Sequence, residues 1–390
     1  MTTADKGVGQ RTSPTGVLGV LRSWWSAAPW QLWAVLGALL ALQTYATLET
    51  TDPYVPDTRY YSAMTYHYLG YSPDEARDLT ISMNDEREWA TPPTENLFGW
   101  GLVQPRVVYP ALSTPFVAAF GIDGMLVVPV MAFVLLVLGS FGFMSRRYGP
   151  VPASLVTALV LASPFLFKYS EAMLTESLAA LFVAGIVATL PLSGPRGRRA
   201  VLVCAGLIVA VAFTRQAALA PATGLVAAWL GHGLFRHEWK NRWLPFATVG
   251  MGTAVGVQIL QSILWPSFSI LEQFERATGT DNVWSALRAA PGLALRILNT
   301  DFHRYMSGDR ALLLLLVLAV LSAVLLYRRT ETHLLVGSMA AVALLNLLNG
   351  TATSFRYAMP AVVFLMISVA ALAAHAFASV KDGVRAEVRT

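Results

Sequence analysis

A series of apolar segments, about ten in number and each close to the 20 residues that a helix needs to cross a bilayer, constrains this chain most. They lie near residues 31–48, 125–144, 151–168, 173–191, 200–215, 217–235, 244–264, 311–327, 333–348 and 357–378. Because 55% of the residues are hydrophobic and 13% are charged, too little polar surface remains to cover these segments in water. The sequence therefore predicts an all-α polytopic membrane protein, a single transmembrane domain over 1–390.

Clusters of basic residues between the apolar segments predict the topology. They occur at 146–147, 196–199, 236–242, 328–329 and 381–389. Ten spans place all of them on one side with the N-terminus, and the positive-inside rule makes that side cytoplasmic. Residues 1–16 are polar and resemble a cytoplasmic tail, not a cleaved signal peptide. We expect a multi-pass plasma membrane protein with both termini in the cytoplasm and no role in nucleic-acid binding.

The other side is predicted to carry two sizeable outer loops, 49–124 and 265–310. The apolar stretch 109–121 falls in the first loop, is only about 13 residues long and contains two prolines, so we expect an interfacial or re-entrant helix. Ser72-Pro73-Asp74-Glu75 has the pattern of a capping box, which predicts a helix from there to about Trp89. In the second loop, apolar and basic residues from Asn282 to Met306 predict an amphipathic helix in the headgroup plane.

Asp57 is the first candidate for chemistry, because it follows directly after the first apolar segment among several tyrosines. A carboxylate at the membrane rim can accept a proton from a hydroxyl group, provided that its surroundings tune its pKa. The spacing of Tyr60, Tyr61 and Met64 also allows Asp57 to be the N-cap of a helix. The residues themselves leave both interpretations open.

Arginines and glutamates at the outer ends of apolar segments are further candidates. Arg215 and Arg356 would be costly at membrane depth without a partner, and a lipid-linked phosphate would satisfy both; snorkelling to the headgroups is the alternative. Glu176 could position a substrate or bind Mg²⁺ or Mn²⁺ together with Asp57, or form an ion pair with Lys168 or Arg215. Glu171, five residues earlier, is a further candidate for binding substrate, although it need not face the same site as Glu176.

An ordered set of short motifs resembles the GT-C superfamily of polyprenyl-phosphate-sugar-dependent glycosyltransferases. In that superfamily, a first span is followed by a large outer loop that opens with an Asp near aromatic residues. The other matching segments are Arg106-Val107-Val108-Tyr109-Pro110-Ala111-Leu112, the acidic turn from Tyr169 through Glu171 to Glu176, Thr214-Arg215-Gln216 with Gln where the family has Pro, and Arg356-Tyr357-Ala358-Met359-Pro360. Many members carry a soluble C-terminal domain, for which no segment follows the last predicted span here.

The resemblance implies an inverting transfer of one sugar from a polyprenyl-phosphate donor to an acceptor hydroxyl on the extracytoplasmic face. It implies that Asp57 is the catalytic base and that Arg215 and Arg356, next to Tyr357, bind the donor phosphate with or without a metal ion. Arg106 and Tyr109 are expected to line the entrance. The acceptor could be a lipid, a glycan or a protein.

Two other classes of function are compatible with the composition. A transporter or lipid flippase would place charges along a path near the midplane and often shows internal repeats. This sequence has no visible repeat, and its candidate residues gather on one side. A structural subunit for cell-envelope assembly is the third alternative.

Overall fold

The computed structural model describes residues 25–83, 90–265 and 269–387, and within these ranges the chain is helical and has no β-strand. The tail predicted for 1–16 lies outside the described residues. In chain order the helices are α1 Trp30–Thr50, α2 Thr58–Tyr68, α3 Pro73–Ser82, α4 Thr94–Gly99, α5 Val108–Phe120, α6 Val127–Tyr148, α7 Pro150–Leu161, α8 Pro164–Ser170, α9 Glu176–Thr189, α10 Arg198–Thr214, α11 Leu219–Arg236, α12 Leu244–Leu264, α13 Ile270–Thr278, α14 Val283–Gly308, α15 Arg310–Leu325, α16 Thr330–Asn349 and α17 Val362–Glu387. Two short 3₁₀ turns, Ile122–Leu126 and Arg356–Ala361, precede α6 and α17.

Five helical segments in the described part of the chain are long and apolar enough to cross a membrane. They are α1, α12, α16, and the two segments in which a 3₁₀ turn continues into a helix, Ile122–Tyr148 and Arg356–Val380. Helices α7 and α8 become a sixth candidate if they form one span, although they are bent by 72° at their junction. The prediction of an α-helical membrane protein is confirmed.

The count of ten spans stays a prediction, because several of the predicted segments are short helices. Helix α9 has 14 residues and α15 has 16. At 1.5 Å per residue, 14 residues extend about 21 Å, which is less than the apolar thickness of a typical bilayer. Short helices can serve as spans only where neighbouring helices cover their polar ends.

The first predicted loop contains four short helices, α2 to α5. The capping box is confirmed: the backbone N–H of Glu75 donates to Ser72 Oγ at 3.3 Å, and the Ser72 N–H donates to Glu75 Oε2 at 2.8 Å. The predicted end near Trp89 is wrong, because α3 stops at Ser82; residues 84–89 lie outside the described part. Helix α5 has 13 residues, as expected for a segment too short to span.

The second predicted loop is dominated by α14, which confirms the amphipathic helix. Asn282 caps it by accepting a hydrogen bond at 2.9 Å from the Ser285 N–H. Trp284, Leu295 and Leu298 are exposed, while Leu293 and other residues on another side of the helix are buried. An exposed apolar row of this kind fits a helix that lies against a membrane surface.

Close helix contacts bring the ends of the long helices together. Helix α11 packs on α12 and α16, and small residues make the α11–α16 contact tight. A Cβ on Gly224 would lie 2.9 Å from the Leu334 carbonyl oxygen, and one on Gly337 would lie 2.5 Å from the Thr223 carbonyl oxygen. Glycines at such contacts let two backbones approach closely. This packing holds the end of α16 near the polar groups described next.

Candidate functional site

Four helix ends converge on one group of charged side chains. Asp57 precedes α2, Glu176 begins α9, Arg215 follows α10, and Arg356 opens the 3₁₀ turn before α17. Arg356 links the two acids: its Nη2 lies 2.5 Å from Asp57 Oδ2 and its Nε lies 2.5 Å from Glu176 Oε1. Arg215 Nη1 is 2.9 Å from the same Glu176 oxygen. These four residues and Arg106 are called the Asp57 cluster below.

Backbone contacts fix the relative positions of the two acids. The Met173 N–H, near the start of α9, donates to the Pro53 carbonyl oxygen at 3.0 Å. Thr58 Oγ1 accepts a hydrogen bond from the Val55 N–H at 3.0 Å, and it lies 3.4 Å from the Met173 carbonyl oxygen. The segment that carries Asp57 is therefore bound directly to the turn that leads into Glu176.

Arg215 is enclosed by the cluster. The residue is only 5% exposed, and its guanidinium carbon lies 4.8 Å from the centre of the Tyr357 ring, at the distance of a cation–π contact. Its second polar neighbour is Thr175 Oγ1, 3.4 Å from Nη1. Burial among an acid, a ring and a hydroxyl rules out the snorkelling that the sequence had left open for this arginine.

Arg106 is the member of the cluster that lacks a counter-charge. The residue is 5% exposed, its Nη1 donates to the Tyr61 hydroxyl at 2.8 Å, and its buried Nε has no hydrogen-bond partner. Within the described residues, no carboxylate approaches Arg106 to ion-pair distance. Three guanidiniums face two carboxylates, so the cluster carries one positive charge in excess.

A cavity of about 240 Å³ opens beside the two most buried arginines. Arg106, Arg215 and Tyr357 form one part of its wall. The rest of the lining carries no charge and combines apolar side chains with a set of neutral polar and aromatic ones, which is called the neutral wall below: Gln216, Gln258, Gln261, Ser262, Trp265 and Asn349. One side can therefore attract an anion, while the other offers hydrogen bonds and an aromatic face without charge.

Asp57 is ionised at neutral pH in this arrangement. Burial raises its pKa, but the positive charges of Arg356 and Arg106 outweigh burial, and the net effect is a pKa below the usual 3.8. The hydrogen bond from Arg356 lowers the pKa of Asp57 further. The side chain keeps 23% of its surface exposed, so a small molecule can reach it.

Most of the residues that the sequence singled out come together. Asp57, Glu176, Arg215 and Arg356 form the connected network, and Arg106 and Tyr357 line the cavity beside it. The cap proposed for Asp57 is not formed, since its side chain bonds Arg356 and accepts no hydrogen bond from α2. Of the two ion pairs considered for Glu176, the structure contains the one with Arg215.

Tyr109 does not line the entrance, and that expectation is wrong. Its side chain is completely buried and lies against Tyr61, with ring centres 5.3 Å apart. Its hydroxyl donates to the Met125 carbonyl oxygen at 3.1 Å. Tyr109 therefore supports the ring that bonds Arg106, because an aromatic residue in this interior position packs well when its hydroxyl finds a partner.

Glu171 is not part of the cluster. It is 2% exposed and lies near the hydroxyls of Thr44 and Thr47 in α1, on a different side of the turn from Glu176. Burial raises the pKa of Glu171 from 4.5 to about 7, and the two hydroxyls offset only part of that rise. A role for Glu171 in binding the same substrate has no geometric support.

A divalent cation between Asp57 and Glu176 does not fit the residues present. The Arg356 guanidinium already bonds both carboxylates, and a cation would need to displace it. In the described part of the chain, no group of three His, Cys, Asp or Glu side chains is arranged to hold a metal ion. The groups available for chemistry at the Asp57 cluster are therefore its arginines and its two carboxylates.

The sequence alone did not single out the residues that form the neutral wall of the cavity. Gln258, Gln261, Ser262 and Trp265 recur at i, i+3, i+4 and i+7 along α12 and its end, which is the period of one helix face. Polar residues with this spacing inside an apolar segment are the signal that would have found them. No family model, curated protein or solved structure matches the chain.

Proposed function

We propose that this protein is a membrane-embedded glycosyltransferase, which transfers a sugar from a polyprenyl-phosphate donor to an acceptor hydroxyl on the extracytoplasmic face. The observation that carries the proposal is the excess positive charge of the Asp57 cluster, with Arg106 lacking a counter-charge beside a cavity. A buried guanidinium without a counter-charge is costly, and an anionic ligand reduces that cost.

The donor phosphate is assigned to Arg106 and Arg215. Guanidinium groups match phosphate oxygens in geometry, and charge-assisted hydrogen bonds of this kind are stronger than neutral ones. The outer surface of α12 beside the cavity exposes Ile259 and Ile263, which are 56% and 70% exposed. An isoprenoid chain can lie along this surface while its phosphate reaches the two arginines.

Asp57 is assigned the role of general base. The proton of the acceptor hydroxyl moves to an Asp57 oxygen as the acceptor oxygen forms a bond to the anomeric carbon. The bond between that carbon and the phosphate oxygen breaks, and its electron pair stays on the phosphate, where the arginines stabilise the charge. Attack from the side opposite the phosphate inverts the configuration at this carbon.

The ion pair with Arg356 restrains the base while the site is empty, because a carboxylate held at 2.5 Å by a guanidinium is a weak proton acceptor. A donor phosphate competes with Asp57 for Arg356, because Arg356 lies within the same group of guanidiniums as Arg215. Loss of this contact would raise the pKa of Asp57 and make it a better base. The donor would thus activate the residue that its own reaction requires.

The sugar is assigned to the neutral wall formed by α12 and Asn349. Hydroxyl groups of a sugar both donate and accept hydrogen bonds, as carboxamides do, and Trp265 can pack against the apolar face of a ring. Neutral partners also avoid a second strong charge that would hold the product. Hexose and pentose donors both remain candidates for this wall.

Replacing Asp57 with Asn tests the function. Membranes from a host that expresses the chain are supplied with polyprenyl phosphate carrying a radiolabelled hexose or pentose, and labelled acceptor is measured. We expect the wild type to form product and Asp57→Asn to lose it while retaining donor binding. Transfer at the wild-type rate by Asp57→Asn would refute the assignment, and labelled lipid that crosses the membrane without transfer would favour a flippase.

A further inference from the structure

The backbone immediately before Arg356 adopts an unusual conformation. Ser354 and Phe355 have φ angles of 50° and 75°, in the left-handed region that non-glycine residues rarely enter. His237 is the one other non-glycine residue with positive φ in the described ranges. Two adjacent residues of this kind persist only where surrounding contacts hold them, and such conformations concentrate at functional sites.

Helix α14 supplies contacts that hold this turn. Asp301 Oδ1 accepts a hydrogen bond from the Ser354 N–H at 2.9 Å, and Arg304 Nη1 donates to the Ala352 carbonyl oxygen at 2.9 Å. The same nitrogen of Arg304 lies 3.2 Å from Ser354 Oγ. Asp301 and Arg304 are three residues apart, so they project from one face of α14 and bind both ends of a three-residue segment.

The contact between Asp301 and Ser354 is buried, whereas Arg304 is exposed. Asp301 is 8% exposed, Ser354 is 5% exposed and Phe355 is 3% exposed. A backbone N–H in such a place must have a partner, and Asp301 provides it in the observed left-handed turn. Arg356 follows Phe355 directly, and its side chain forms hydrogen bonds with Asp57 and Glu176.

We propose that Asp301 and Arg304 are positioning residues, which place the Arg356 guanidinium between Asp57 and Glu176 by holding the 352–355 segment. The effect on catalysis rests on the proposed function; the effect on the turn does not. Neither residue needs to touch the substrate. The same helix exposes Trp284 and Leu295, so α14 connects an exposed apolar surface to the turn before Arg356.

The test compares Arg304→Ala and Asp301→Ala with a control on the same helix, Arg296→Ala, which removes an exposed arginine that makes no contact with the turn. Hydrogen–deuterium exchange of the peptide over 350–358 reports the turn without any substrate. We expect the Ser354 amide to exchange at least about tenfold faster in the two variants and unchanged in the control, because each removes a bond to the segment.

Transfer kinetics separate positioning from general loss of structure. We expect kcat to fall about tenfold or more in Arg304→Ala, because a displaced Arg356 can no longer move from Asp57 to the donor phosphate and stabilise the charge that develops there. KM for the donor should change less than about threefold, because Arg106 and Arg215 still bind the phosphate. Arg304→Lys keeps a donor for the Ala352 carbonyl oxygen and should recover part of the rate. Asp301→Asn retains the size of the side chain and guards against variants that fail to fold.

Three results would overturn the inference. They are unchanged exchange over 350–358 in both alanine variants, faster exchange with an unaltered kcat, and equal losses in Arg296→Ala. Absence of any transfer by the wild type would refute the proposed function instead, and the exchange experiment would then decide by itself whether α14 holds the turn.

Discussion

Two largely enclosed groups of charged residues lie at opposite ends of α6 and α16 and differ in composition. The Asp57 cluster lies near the start of α6 and the end of α16. The Glu331 cluster, which consists of Arg147, Tyr148 and Glu331, lies at the end of α6 and the start of α16. In it, Arg147 Nη2 is 2.6 Å and Arg147 Nε is 3.1 Å from Glu331 Oε1, and the Tyr148 hydroxyl donates to the same oxygen at 3.0 Å.

The charges of the Glu331 cluster balance, whereas those of the Asp57 cluster do not. One guanidinium meets one carboxylate at the Glu331 end, and three donors converge on one oxygen. At the Asp57 end, three guanidiniums meet two carboxylates, one guanidinium nitrogen lacks a partner and a cavity lies alongside. A balanced, saturated pair joins two helices; an unbalanced group with space beside it can bind an anion.

The largest expected difference concerns the carboxylates. Asp57→Asn should lower the rate of sugar transfer by about 10²-fold or more, the usual range for loss of a general base. Glu331→Gln should leave the rate within a few fold and lower thermal stability instead, because the half-buried Arg147 then loses its counter-charge. Transfer assays and melting curves of both variants in one detergent measure the contrast. If both variants lose a similar amount of transfer activity, the two clusters do not differ in function as proposed.

The arginines provide the second contrast. Arg147→Met should destabilise the protein by about 3–5 kcal/mol, because Glu331 is then buried without its partner. Arg106→Met removes a charge that has no carboxylate at ion-pair distance and gives up only its hydrogen bond to Tyr61, so its melting temperature should fall much less than that of Arg147→Met. Binding of polyprenyl phosphate to Arg106→Met in nanodiscs should weaken by about tenfold or more. If Arg106→Met instead loses stability and still binds polyprenyl phosphate as the wild type does, Arg106 has a structural role and does not bind the phosphate.

Two glutamines, Gln258 in α12 and Gln43 in α1, provide a third comparison in which the expected difference in lipid binding is smaller. Gln258→Leu should weaken binding of a sugar-bearing polyprenyl phosphate by about tenfold and leave binding of the sugar-free lipid unchanged, because the lost hydrogen bonds concern the sugar only. Gln43→Leu makes the same substitution in α1 and should have neither effect. If Gln258→Leu weakens binding of both lipids equally, the proposal that the neutral wall binds the sugar is contradicted.

The smallest effect appears only across a range of pH. The folded-state pKa of Glu171 is raised from 4.5 to about 7, so folded protein holds this proton more tightly than unfolded protein does. The stability contribution is present below pH 4.5 and is lost as the pH rises to about 7. Glu171→Gln should flatten this part of the melting-temperature profile. A profile identical to that of the wild type would show that Glu171 does not titrate in this range.

Asp57 should respond to pH in the opposite sense. Its pKa in the folded protein is depressed below 3.8, so its contribution to stability is present above that value and is lost only as the pH falls below it. In the protein without a bound ligand, the carboxylate of Asp57 therefore remains ionised throughout the range in which Glu171 titrates. Asp57→Asn should leave the melting-temperature profile between pH 5 and 7 unchanged, which a pH series on that variant can check.

Periodicity and charge predicted much of the architecture. The apolar segments are helices, and Ser72 caps its helix as predicted. The helix predicted from Asn282 onward is present, and the segment that begins at Tyr109 is too short to span. These features depend on residues close together in sequence. The number of spans could not be settled in the same way, because whether a 14-residue helix such as α9 crosses a bilayer depends on what its neighbours cover.

The site was predictable in its residues but not in its connections. Asp57, Glu176, Arg215 and Arg356 stood out because charge is expensive at the end of an apolar segment. That Arg356 bonds both acids depends on contacts across 299 and 180 residues, which no local pattern contains. Tyr109 was misplaced for the same reason, since burial behind Tyr61 is decided by packing between helices.

A cryo-electron microscopy structure of the protein in nanodiscs with bound polyprenyl phosphate tests the central claim most directly. The account predicts phosphate density between Arg106 and Arg215, within hydrogen-bond distance of both, and an Arg356 guanidinium that has moved away from Asp57. Phosphate density elsewhere on the protein, with Arg106 still unpaired and Arg356 still bonded to Asp57, would contradict it.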